Sequence, residues 1–122
     1  MTDIITPAQV ERRLLQLNTD LDNATLELAQ GERQYHVAKT DYEIAVAKAR
    51  MRLRQAGIEA GSKPTVGEIE DQATLDTRVE LTALSTAEAV VKASRANLQR
   101  VRTQVDIARS IGTSVRTAIE SA

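Results

Sequence analysis

Four arginines spaced seven apart, Arg95, Arg102, Arg109 and Arg116, come nearest in this sequence to a chemical site. A seven-residue step on a helix returns to nearly the same face, so the four form one cationic stripe. The segment 89–122 holds six basic and two acidic residues, which suits a ridge that tracks phosphates or grips an acidic partner. The competing reading is architectural. Their stems would cover an apolar seam, and Arg102 and Arg116 would pair with Asp106 and Glu120 four residues on. Glu32 and Glu11 would lie near Arg95 and Arg116. No aromatic residues interleave to stack bases.

The other chemistry-bearing residues are sparse. Glu68, Glu70 and Asp71 cluster, but His36 is the only histidine, cysteine is absent, and Glu68 is placed to cap a helix, so no metal and no cofactor are expected. A lone histidine supplies no base–orienter pair. There is no thiol nucleophile, phosphate-cradling glycine loop or paired-histidine zinc motif, so the chain is expected not to be an enzyme and to take no small-molecule ligand. Tyr35 and Tyr42, seven apart, read as seam residues with hydroxyls reaching solvent. Lys48, Arg50, Arg52 and Arg54 alternate, spreading over several faces, and suit the negative end of a helix dipole. The stretch Glu59–Glu80, with six acids and two bases, would neutralise them locally.

Two long helices must carry these residues. Thr6-Pro7-Ala8-Gln9 is a helix start, with Thr6 as N-cap, Pro7 in the first turn and Gln9 closing a capping box. Nothing interrupts the helix until Gly57. Residues 57–64, GIEAGSKP, form the clear loop, and Thr65 with Glu68 caps a second helix. Weaker starts at Thr77 (with Glu80) and Ser85 (with Glu88) allow a short separate helix over about 66–76. The expectation is one domain, 1–122, with a helix over about 7–56, the loop 57–64, and a helix over about 65–120. Each long helix would extend about 70–80 Å at 1.5 Å per residue.

A heptad pattern justifies such lengths. Val10, Leu14, Leu17, Leu21, Ala24, Leu28, Gly31, Tyr35, Ala38, Tyr42, Ala45 and Ala49 follow alternating steps of four and three, and none is charged. Leu84, Ala87, Val91, Ser94, Leu98, Val101, Val105, Ala108, Gly112, Val115 and Ile119 do the same. Folding the second helix back pairs positions whose numbers sum to about 122, so that large faces small: Tyr35 with Ala87, Gly31 with Val91, Ala24 with Leu98, Leu14 with Ala108, Val10 with Gly112. The fold class is therefore all-α, a long antiparallel coiled-coil hairpin, with an optional short helix at 65–76 and scope to assemble into a multi-helix bundle. Composition agrees. Hydrophobic residues make up 42%, much of it alanine, with no Phe or Trp to fill a thick core.

Some apolar residues do not fit the seam. Val37, Ile44 and Met51 recur every seven residues on a distant face, while Val90, Ile107 and Ile111 lie beside the seam. Either the 65–76 segment folds over the first three, or they meet a partner. The partner would be a second copy, with a dimer favoured, or another protein's helix. The net charge of −1 gives no global field toward nucleic acid. The opening MTDIITPAQVERR lacks a signal-peptide pattern, and no apolar run reaches membrane-spanning length, so a cytoplasmic protein is expected.

The stretch AEAVVKASRANLQRVRTQVDIARSIGTSVRTAIE (87–120), together with YHVAKTDYEIAVAKARMRLR (35–54) and TVGEIEDQATLDT (65–77), resembles small α-helical proteins of tailed bacteriophages and prophages, especially of actinobacterial hosts. Such genes often sit near single-strand annealing, replication or nuclease genes. The resemblance implies a phage accessory factor in the bacterial cytoplasm and carries over no site residues. Three functions are consistent with the sequence. They are docking to a phage or host DNA-metabolism protein, direct nucleic-acid binding in recombination or replication through the arginine stripe, and inhibition of a host enzyme or defence system.

Overall fold

In the computed structural model, which describes residues 4–122, the described residues are all-α, with three helices and no strand. The first three residues, part of the opening read for a signal and of the 1–122 domain, lie outside the described range. Helix α1 spans Pro7–Glu59, α2 Val66–Asp76 and α3 Arg78–Glu120. Contacts divide the molecule into two units, one from the N-terminal residues up to Gln30 with Lys92–Ala122, the other Gly31–Val91.

α1 begins with a closed capping box. The Gln9 amide donates to Thr6 Oγ1 at 3.3 Å, and the Thr6 amide donates to Gln9 Oε1 at 2.9 Å. In the first unit the seam packs as two clusters. Leu17, Val105 and Ala108 join with Leu14 against them, and Ala24, Leu98 and Val101 join with Leu21 and Leu28. Rising numbers on α1 meet falling numbers on α3, so the two segments are antiparallel. The pairing keeps the anticipated register down to Gly112, where an added Cβ would stand 3.0 Å from Val10 Cγ1. Every expected α1 seam position is buried or half-buried, and on α3 only Ile119 stays exposed, at 58%.

In the second unit α1 runs past its expected end. Gly57 is helical and buried, and the helix stops at Glu59. The stop is Gly61, at φ 69°, which only glycine adopts without steric cost. The Ser62 amide donates to the Gly57 carbonyl at 3.0 Å and the Gly61 amide to Ile58 at 3.1 Å, the paired bonds of a Schellman cap. Gly57 is glycine for a different reason. A Cβ there would lie 2.7 Å from Pro64 Cδ. Because the helix end moves to Glu59, Arg54 and its basic neighbours fall outside the last turn, where the dipole acts. The dipole does not account for them.

The short separate helix allowed over about 66–76 is present, so the region read as one helix over about 65–120 is two. Thr65 Oγ1 accepts from the Glu68 amide at 3.1 Å and opens α2, which ends at Thr77. Thr77 is almost wholly buried and donates its hydroxyl back to the Ala73 carbonyl at 2.7 Å. The Thr77 backbone amide donates to the same carbonyl at 3.1 Å, and Thr77 itself leaves the helical angles at φ −111° and ψ 18°. The start expected at Thr77 is where α3 begins, at Arg78, but the Thr77–Glu80 box does not close: the Thr77 amide is spent on Ala73, and Glu80 Oε2 has no hydrogen-bond partner. Ser85 starts nothing, since α3 runs straight through it.

Candidate functional site

The face holding Ala49 and Arg50 is where α1 receives α2. Ala49 on α1 and Ala73 on α2 are both essentially solvent-free. Beside them Arg50 Nη2 donates to Glu70 Oε2 at 2.7 Å across twenty residues of chain. This is one concrete instance of the neutralisation expected between the basic run and the acidic stretch. The hydrogen bond to Glu70, more than its charge, holds the Arg50 pKa above the ordinary arginine value, so the guanidinium stays charged. Arg50 Nε and Glu80 Oε2 are buried without a hydrogen-bond partner.

With α2 on that side, the opposite side of α1 stays bare. Val37 is 61%, Ile44 49% and Met51 66% exposed, so the 65–76 segment does not cover them. Thr40 and Ala47, also exposed, fill the intervening positions, giving an uncharged row from Val37 to Met51 at steps of three and four. Ile58, 74% exposed, extends the row by another heptad. The sequence reading missed it because it assigned residue 58 to the loop. The signal was present, since Ile58 is seven beyond Met51. In the same unit Val90 is exposed as expected, and Val66, Leu75 and Val79, which had not been singled out, are exposed as well.

In the first unit Arg95, Arg102, Arg109 and Arg116 all lie exposed along α3. Arg95 has an interaction partner. Among the described residues Arg102, Arg109 and Arg116 make no ion pair, so the expected bonds to Asp106 and Glu120 do not form. An exposed i,i+4 pair gains about 0.2–0.5 kcal/mol, too little to immobilise two long side chains. Glu11, Arg109 and Arg116 line one groove over Val10, Leu14 and Gly112, bringing Glu11 near the stripe's end. Ile107 and Ile111 are exposed, and Ile111 borders a separate apolar notch with Ile5 and Val10.

No family model, curated protein or solved structure matches this chain. The two surfaces must therefore be judged on their own chemistry. Tyr35 and Tyr42 are half-buried on the α1 seam, with the Tyr35 ring edge-on to His36 at 5.5 Å between centroids. No group of three or more potential metal ligands gathers among the described residues, and Glu68, Glu70 and Asp71 do not form one. No helix is long and apolar enough to cross a membrane.

Proposed function

We propose that this chain is a non-enzymatic interaction protein that works by docking a helix onto the outer face of α1. The observation that carries this reading is the uncharged row Val37, Thr40, Ile44, Ala47 and Met51, left bare although α2 lies against the other side of the same helix. A helix with an apolar stripe on both sides has more contact surface than its own hairpin uses. Together with the likeness to phage helical proteins, this supports an accessory factor acting on a phage or host DNA-metabolism protein in the bacterial cytoplasm.

Ile44→Glu tests the reading. Half-exposed Ile44 contributes little to the fold, so the variant should keep its helical circular dichroism and melting temperature. It should lose association, both with itself in light scattering and with partners recovered by cross-linking in host lysate. Identical behaviour of the wild type and Ile44→Glu in both assays would end the proposal.

One observation favours a second reading, direct nucleic-acid binding. Arg102, Arg109 and Arg116 are exposed, in line and free of ion pairs. Binding through them should fall steeply with salt, because each neutralised phosphate releases counterions. The double variant Arg102→Glu/Arg109→Glu should abolish it. Fluorescence anisotropy with single- and double-stranded oligonucleotides at low salt decides, and no detectable binding there rejects this reading.

A further inference from the structure

Resting on the helix-docking reading, we infer that the occupant of the α1 outer face is a second copy of this chain, with the two α1 helices antiparallel about a two-fold axis between Ala45 and Val46. The inference comes from the charges beside the bare row. Asp41 and Lys48 flank it on one side, Glu43 and Arg50 on the other. Asp41, Lys48 and Glu43 are exposed and Arg50 is half-exposed.

An antiparallel helix pair joins seam residues whose numbers have a constant sum, and flanking residues meet at sums two lower on one side and two higher on the other. The first unit shows this offset around its seam sum of 122. Glu11 and Arg109 share one groove, Glu27 and Asn97 another. Applied to two copies of the bare row, a seam sum of 91 places Ile44 on Ala47, Thr40 on Met51 and Arg33 on Ile58, so large faces small or a flexible stem. Val37 then meets the aliphatic stem of Arg54, whose head reaches water. In that register Asp41 faces Lys48 and Glu43 faces Arg50, and the two-fold axis makes each pair twice.

Registers one heptad away fail on charge. A sum of 84 sets Asp41 against Asp41 and Glu43 against Glu43. A sum of 98 sets Lys48 against Lys48 and Arg50 against Arg50. One register is attractive on both flanks and both of its neighbours are repulsive on both, which is how specificity against wrong pairings is written into a coiled coil. Arg50 also holds Glu70, so Asp41 and Lys48 are the cleaner pair to probe.

Asp41→Lys and Lys48→Asp, each prepared as the full chain, test the assignment by sedimentation equilibrium. Either variant alone turns two attractive contacts into two repulsions and should weaken self-association by about tenfold or more. Mixed in equal amounts, the two should form a heterodimer of about wild-type strength, since each lysine again meets an aspartate. Asp41→Lys/Lys48→Asp in one chain should likewise restore the homodimer. A wild type that stays monomeric at tens of micromolar overturns the second-copy inference, and so does a dimer indifferent to both charge changes. Neither result touches the helix-docking reading, which Ile44→Glu decides separately through partners in host lysate.

Discussion

Leu17→Ala should lower the unfolding free energy by about 3 kcal/mol, whereas Leu15→Ala, two residues away, should cost less than about 0.5 kcal/mol. Leu17 is 1% exposed and packs with Val105 and Ala108, while Leu15 is 68% exposed. The first substitution removes transfer energy and leaves a void between two helices that cannot close around it, because neighbouring seam layers hold their spacing. The second removes a side chain that water already surrounds. Urea titration followed by circular dichroism gives both values. Equal effects would mean that α1 does not present the face described to α3.

A larger contrast, one of sign, is expected among the glycines. Alanine in place of glycine inside an exposed helix ordinarily gains about 1 kcal/mol. At Gly67, whose added Cβ would meet nothing closer than Thr65 Oγ1 at 3.9 Å, Gly→Ala should gain up to about that much. At Gly57 the added Cβ would press to 2.7 Å on Pro64 Cδ and 3.1 Å on the Ser62 carbonyl. A proline ring and a backbone oxygen are poor at yielding, so the Schellman cap must open or α1 must shift. Gly57→Ala should therefore lose about 1–3 kcal/mol in spite of its better helix propensity. Thermal melts of the two variants should move in opposite directions, and a stabilised Gly57→Ala would show that the close approach to Pro64 is not required.

The seam was legible because it rests on a repeated absence of charge in a chain that is 27% charged. Its register was legible because Val10 opposes Gly112 and Ala24 opposes Leu98, pairs whose sizes fit in one alignment. The end of α1 was not. Gly57 and Gly61 look alike in sequence, yet one is glycine for want of space and the other for its backbone angle, and that distinction exists only once Pro64 is placed. Misplacing the end hid Ile58 and credited the dipole with Arg54. Thr77 marked the break, since α3 starts at Arg78, but not the bond its hydroxyl makes. A threonine hydroxyl can accept from the helix that follows or donate to the carbonyl four residues before it, and here it donates to Ala73. Of the candidate surfaces, the bare row was visible as a period, but whether α2 covered it depended on which side of α1 Arg50 and Glu70 meet.

The Schellman cap and Pro64 have a bearing on how the molecule comes together in time. Arg50 and Glu70 are separated by twenty residues, whereas Val10 and Gly112 stand near opposite ends of the chain, enclosing about five times as much of it. By the logarithmic scaling of ring closure, joining the distant pair directly costs about 1.4 kcal/mol more entropy than joining the near one. A turn that sets itself locally removes that difference, since each layer formed brings the next within reach. The chain should thus close like a zipper from its bend, and its two ends, last to pair, should be the first to exchange their amide protons.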